Sequence, residues 1–289
     1  MAATGWKQDV RNGLEVVELT TPTSTCMLAL HGGQVLGFVP HGAGERLWVS
    51  EKARFQVGKA LRGGIPICFP WFGPHPDLGD LPAHGFARTR LWRMVGVAAI
   101  NERQIRAELE LAPDADTLRL FPHRFVARLA VTAGETLELA FEVTNTDEAP
   151  FTFEIALHTY LAVSDAAAVA LVGLGGRAYL DKVAGGIVRR QADEPVRFAG
   201  EVDRVYDNDR PLTLVDRGAG RIQIESRGAG STVVWNPGPE KTRALGDMSP
   251  DGFRGFVCVE TGSVGDRRVT LAPGGRHETA VSYAWHVTR

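Results

Sequence analysis

In Thr136-Leu137-Glu138-Leu139-Ala140-Phe141-Glu142-Val143-Thr144, the apolar residues Leu137, Leu139, Phe141 and Val143 alternate with Thr136, Glu138, Glu142 and Thr144. Successive side chains of a β-strand point to opposite faces, so this spacing predicts a strand with one buried and one wet face. Residues 103–111 repeat the pattern, with Ile105, Ala107, Leu109 and Leu111 alternating with Arg106, Glu108 and Glu110. Residues 125–131, 151–160, 221–226, 231–236, 256–261 and 269–272 read the same way, each run short and bounded by Gly, Pro, Asp or Asn. The 33 glycines and 16 prolines supply the turns. Helical signals are confined to residues 114–120, closed by Phe121-Pro122, and residues 240–245, after Asn236-Pro237-Gly238-Pro239. No βαβ series, GxGxxG or GxxxxGK[ST] is present, which disfavours a nucleotide-binding fold. No repeat, low-complexity tract or linker divides the chain, so the expected architecture is one all-β, antiparallel sandwich over residues 1–289 with a few short helices. A long concave sheet in such a fold can hold a ligand.

Composition narrows the partners. With 289 residues, 44% of them hydrophobic, the chain can bury a sizeable core. Its net charge of −2, with bases spread along the whole length, gives no electrostatic reason to seek nucleic acid or anionic membrane. A local basic pocket for a small anion remains compatible with that balance. Residues 1–10 carry no apolar signal-peptide core, and no apolar run approaches the roughly 20 residues of a membrane span. Cys26, Cys68 and Cys258 are odd in number and widely spaced, with no CxxC pair, so we expect buried thiols, no disulfide and a reducing, cytoplasmic setting.

Five segments break the alternation, and function concentrates where local rules fail. Residues 61–73, LRGGIPICFPWFG, read as neither strand nor helix. Arg62 stands beside two glycines; arginine suits bidentate phosphate recognition, and glycine lets backbone approach a ligand. The segment also fits a packed Pro-aromatic loop with an arginine ion pair. Residues 81–88 put His84 and Arg88 in a connection, where a hydrogen-bond donor and an anion ligand are as natural as two surface residues. In residues 151–160, alternation places Glu154, Ala156, His158 and Tyr160 on one face, a polar surface with a histidine fit for acid–base work or a hydrogen-bonded structural one. Glu260 ends the apolar run 256–260 and shares a face with Phe256 and Cys258; a carboxylate on an apolar wall has a raised pKa, whereas a strand-end glutamate faces solvent. Asp203, in residues 200–206, suits two sugar hydroxyls or an ion pair with Arg204. Trp235-Asn236-Pro237 offers an aromatic face beside an amide. His84, His158 and Glu260 have the composition of a two-histidine, one-carboxylate metal set, but no HxH, HxxxH or HExxH spacing joins two ligands, and no metal is expected. His31, His41, His75, His123, His277 and His286 lack supporting context and read as structural or solvated.

Taken together and in order, LRGGIPICFPWFG (61–73), AHGFAR (83–88), HTYL (158–161), GEVDRVY (200–206), VVWNP (233–237) and FVCVETG (256–262) resemble the hexose-6-phosphate mutarotases, the glucose-6-phosphate 1-epimerases of the galactose-mutarotase-like superfamily. The edges, LALHGGQV (28–35) and LAPG (271–274), are similar too, and RGGIP with HGFAR is specific to this branch. The resemblance implies a β-supersandwich, catalytic roles for His158 and Glu260, phosphate or sugar binding by Arg62, His84 and Arg88, and hydroxyl binding by Asp203. It implies an isomerase acting on a small hexose 6-phosphate, which needs no cofactor because the ring opens by proton transfer alone, with Glu260 as base at O1 and His158 as acid at the ring oxygen; a monomer is the favoured expectation, with oligomeric state open. Gly238-Pro239 departs from the pattern, since many relatives carry a bulkier residue there, and it bears on pocket shape. An epimerase for unphosphorylated aldoses, a non-catalytic carbohydrate-binding module and a metal-dependent β-barrel enzyme are the competing expectations.

Overall fold

The computed structural model describes residues 3–75, 79 and 81–286. Its strands form two eight-stranded antiparallel sheets. One runs, in spatial order, Val169–Val172, Leu212–Asp216, Gly220–Arg227, Arg276–His286, Thr136–Asn145, Phe125–Ala133, Gln104–Leu111 and Arg93–Asn101. The other runs Ile187–Arg190, Ala178–Asp181, Val202–Asp207, Ser231–Asn236, Phe256–Ser263, Ile155–Leu157 and Ile67–Cys68, with Tyr160–Ala162 also paired to Phe256–Ser263. A four-stranded meander spans Gly5–Arg11, Leu14–Thr20, Ser24–Ala29 and Gln34–Pro40, and Phe151–Phe153 pairs with Val269–Leu271.

Period-two patterning accounts for the layers. Leu137, Leu139, Phe141 and Val143 are buried to within 1%, while Glu138 and Glu142 between them are only partly covered. The same apolar cluster takes in Val234, Val257 and Val259 from the second sheet, so the two large sheets meet through one core. Phe256–Ser263 is buried on both faces: Val257 and Val259 join that core, and Cys258 and Glu260 face the other way. The all-β supersandwich expected from the sequence is what the chain adopts. The short helix at Ala115–Leu120 is closed at its start by a reciprocal cap, in which the Asp114 carboxylate accepts from Thr117 N and the Thr117 hydroxyl accepts from Asp114 N, both at 2.7 Å. No helix among the described residues is long and apolar enough to cross a membrane. Cys26, Cys68 and Cys258 are buried free thiols.

Several expectations need correction. Residues 151–160 are not one strand. The chain forms Phe151–Phe153, then Ile155–Leu157, then Tyr160–Ala162, because Glu154 N turns to Pro70 O, His158 N to Pro66 O and Tyr160 N to Gly64 O, each at 2.9 Å. Residues 61–73 contain a short strand, Ile67–Cys68, on Ile155–Leu157. The second helix is Gly238–Ala244, starting two residues before the expected 240. Arg88 lies in a 3₁₀ turn, Ala87–Thr89. The four N-terminal strands went unmarked because their burial is irregular, with Leu14, Val16 and Val17 all buried.

Gly64 and Gly85, one from each loop motif, serve close packing between chain segments. Gly64 has φ +63°, and a Cβ there would meet Val35 O at 2.2 Å. Gly85 has φ +69°, and its Cβ would meet Phe69 O at 2.0 Å. That carbonyl accepts from Phe86 N at 3.0 Å and Ala87 N at 3.2 Å, so Gly85 fastens the HGFAR loop to the RGGIPICFP loop. Gly85→Ala should therefore lower unfolding stability by about 2–4 kcal/mol, from backbone strain plus a clash with unyielding backbone. Gly274→Ala, at φ +73° but in open space, should cost only about 1 kcal/mol. Equal denaturant midpoints for the two variants would contradict this account of the loops.

Candidate active site

The register of two strands brings the central pair together. Leu157 pairs with Thr261 and Tyr160 with Cys258, which sets His158 directly opposite Glu260. Residues opposite one another in an antiparallel pair share a face. His158 Nε2 lies 3.3 Å from Glu260 Oε1. Both are buried, His158 at 7% exposure and Glu260 at 1%. Glu260 sits inside its strand, opposite Val233 on the other side, and not at the strand end that the sequence suggested. Two buried polar atoms of the pair, His158 Nδ1 and Glu260 Oε2, have no hydrogen-bond partner in the protein.

Aromatic rings hold the imidazole. Tyr160 stacks on His158 with centroids 4.8 Å apart and planes 12° apart, and Trp235 meets it edge-on at 5.8 Å. Arg62 reaches this wall, donating from Nη1 to the Tyr160 hydroxyl at 3.1 Å and from Nε to Asp247 Oδ2 at 3.2 Å. His84 stands on the other side, 5.8 Å from His158 and 4.7 Å from Phe72 by centroid. It holds φ +65°, and its Nδ1 accepts from Gly73 N at 3.3 Å, which leaves the proton on Nε2. Arg88 donates from Nη2 to Ala83 O at 2.7 Å, while its buried Nε is unpartnered. Asp203 comes from Val202–Asp207, opposite Trp235. Its carboxylate lies 4.0 Å from both Lys182 Nζ and Lys241 Nζ.

Burial sets the proton affinities. It pushes the Glu260 carboxyl well above its usual range, with Asp203 adding to the rise and Lys182 and Arg88 opposing it. Burial drives His158 well below the usual imidazole value, helped by His84, Arg88 and Arg62. Both shifts favour the neutral forms, a protonated Glu260 carboxyl beside an unprotonated imidazole. His84 falls to about 3, through burial and then the charges of Arg88, Lys182 and Arg62, and so is a neutral donor. Asp203 is raised by burial, with Lys182 and Lys241 working against the rise.

Arg62, His84, Arg88, His158, Asp203 and Glu260 thus bear on one another in a single side-chain cluster. Glu154 does not join them: its carboxylate accepts from Phe72 N at 2.8 Å and Gly265 N at 2.6 Å and holds loops. The alternative of an Asp203–Arg204 ion pair is not formed; Arg204 points to the opposite face, its guanidinium 4.9 Å from the Tyr179 ring centroid. Lys182 was missed. It follows Ala178–Asp181, lies over the Phe72 ring at 4.8 Å and bears electrostatically on Glu260 and His84. Only the adjacency of its strand to Val202–Asp207 reveals it, and no motif marks it. Gly238 has φ +61°, with a Cβ position 2.6 Å from Glu201 N, so the helix it opens lies tight on that segment and delivers Lys241 to Glu201 at 2.7 Å.

Residues 15–284 match the aldose 1-epimerase family, and the chain belongs to it. It is an epimerase whose substrate is a small sugar. A protein of Escherichia coli K12, provisionally named glucose-6-phosphate 1-epimerase, is 36% identical over 250 residues, 86% of this chain and 83% of that one. A Cenchrus ciliaris protein with the same provisional name is 35% identical over 283 residues, 91% of this chain and 82% of its own. The crystal structure of YeaD from Salmonella typhimurium, provisionally described as a mutarotase, superposes with TM-score 0.91 at 31% identity, covering 98% of this chain and 94% of that chain.

A raised carboxyl makes stability fall with pH. Above the ordinary value of 4.5 the unfolded chain releases the Glu260 proton while the folded protein keeps it, so stability declines as pH rises through that window. Glu260→Gln removes the dependence. Its melting temperature should exceed that of the parent by a few degrees at pH 8, and the gap should close near pH 4. A lower melting temperature for the variant at pH 8 would contradict the buried, proton-retaining carboxyl.

Proposed function

We propose that this epimerase interconverts the α and β anomers of a hexose 6-phosphate, with glucose 6-phosphate as the preferred substrate. The observation that carries the reading is the buried His158–Glu260 pair at 3.3 Å, with Arg62, Arg88 and Lys182 bearing on it. The provisional names of the E. coli and C. ciliaris relatives support the choice of sugar.

Anomer exchange needs proton transfer alone. On binding of the cyclic sugar the shared proton passes from Glu260 to His158 across their 3.3 Å contact; Glu260, now a carboxylate, removes the proton from the anomeric O1 while protonated His158 gives one to the ring oxygen O5. The C1–O5 bond breaks and an aldehyde forms. Rotation about C1–C2 presents the other carbonyl face. Glu260 then returns its proton to O1, His158 takes the proton from O5, and the ring closes. The raised affinity of Glu260 strengthens the base, and the lowered affinity of His158 strengthens the acid. In the open-chain complex the shared proton rests on Glu260 and the imidazole is neutral, the state that burial favours in the free enzyme. Sugar and empty protein thus exchange protons within one pair, with no net uptake from water.

Arg62 and Arg88 hold the 6-phosphate, which is remote from C1, so that its binding energy positions the ring. Neutral His84 donates from Nε2 to a hydroxyl near the anomeric centre, and Asp203 accepts from hydroxyls on the far side. Every group in this site comes from one chain, so a monomer suffices, with residues 1–289 acting as one unit in the cytoplasm.

His158→Asn and Glu260→Gln should each lower kcat by about 10²–10⁴-fold while the protein stays folded. Near-parent turnover in either variant would remove that residue from the chemistry. Arg62→Ala should raise KM for glucose 6-phosphate at least tenfold and leave the KM for glucose little changed. Equal effects on the two sugars would show that Arg62 braces Tyr160 and Asp247 and does not bind phosphate.

A further inference from the structure

Three different donor side chains converge where the proton pair sits. The ligand-capable atoms of His158, Cys258 and Glu260 lie within 4.8 Å of one another, and all three residues are buried. Alternation in Phe256–Ser263 puts Cys258 and Glu260 on one face, and strand register brings His158 opposite Glu260. The 3.3 Å between His158 Nε2 and Glu260 Oε1 is close to the edge, about 3.4 Å, of a tetrahedron with zinc–ligand bonds of about 2.1 Å, while the 4.8 Å span of the three donors exceeds the roughly 4.4 Å that one ion can bridge, so a donor side chain must shift on uptake. One imidazole, one thiol and one carboxylate form a mixed donor set suited to zinc, with a fourth position left open. His158 Nδ1 and Glu260 Oε2, the atoms of these two residues outside the 3.3 Å contact, are buried without partners.

We propose that the pocket takes up a zinc-class divalent cation on His158, Cys258 and Glu260, and that the bound cation switches the epimerase off. The exchange balances in charge. The empty cluster holds a neutral imidazole, a thiol and a protonated carboxyl; uptake expels the thiol and carboxyl protons and admits one dication, leaving the buried site as neutral as before. The groups that bear on the cluster pull both ways: Arg62, Arg88 and Lys182 oppose a cation and Asp203 favours it, while His84 and Tyr160 stay neutral and Cys68 is a buried thiol. A ligated imidazole and carboxylate cannot pass protons to sugar. That inhibitory half rests on the roles given above to His158 and Glu260; the binding half does not.

The test uses the purified full chain. Titration with Co²⁺, which takes the same donors, should produce a thiolate-to-cobalt charge-transfer band in the near ultraviolet. Cys258→Ala should abolish the band, and Cys68→Ala should keep it. In parallel, Zn²⁺ should inhibit anomer exchange, and Cys258→Ala should raise the half-inhibitory Zn²⁺ concentration at least tenfold with the metal-free rate unchanged. Absence of the band in the parent protein, its survival in Cys258→Ala, or identical inhibition of the two proteins overturns the site. A band lost with Cys258 in a protein that lacks epimerase activity upholds the metal site and overturns the functional reading instead.

Discussion

Taking the Glu260 carboxyl and the His158 imidazole out of water together is the constraint that organises this molecule. Either charge alone is costly in such surroundings, and the cost falls only when one proton is shared across the pair. Strand register meets the geometric half of that requirement, because opposite residues of an antiparallel pair share a face at fixed spacing. The local interruption of pairing meets the rest. His158 gives its N–H to Pro66 O at 2.9 Å, so the loop that carries Arg62 also holds the backbone of the histidine. The positions of His158 and Arg62 are thereby tied to one piece of chain.

The same economy explains the two glycine-bearing loops. Gly64 lies against Val35 O and Gly85 against Phe69 O, and neither contact tolerates a Cβ. These contacts stack the segment carrying Arg62 on the N-terminal meander, and the segment carrying His84 and Arg88 on the first loop. A substitution at Gly85 therefore disturbs the packing that places His84. Asp203 is approached by Lys182 at one carboxylate oxygen and Lys241 at the other, each at 4.0 Å.

Much of this was legible in the amino-acid sequence, and the reasons are physical. Alternation in residues 103–111, 125–131 and 136–144 reports one-sided burial, so those strands and the core face were readable. Where both faces are covered, as in Phe256–Ser263, alternation of polarity vanishes; Glu260 stood out there only because it was the lone charge, and its place within the strand was invisible. Residues 151–160 kept the alternation while the pairing partners changed at Glu154 and again at His158, a switch made by loops distant in sequence. Arg62, His84, Arg88 and Asp203 were found through motifs. Lys182 has no local signature, since it enters the site through the pairing of Ala178–Asp181 with Val202–Asp207. Cys258 was visible as a neighbour of Glu260 on one strand face, but its approach to His158 depends on the strand opposite.

The central claim is that the buried pair opens and closes the ring of a phosphorylated hexose. Magnetisation exchange between the anomers of glucose 6-phosphate, measured by NMR with and without the protein and with free glucose in parallel, tests it most directly. The account predicts exchange accelerated well beyond the spontaneous rate for the phosphate and much less for glucose. Acceleration of neither sugar would contradict it and leave a protein that binds sugar without opening it.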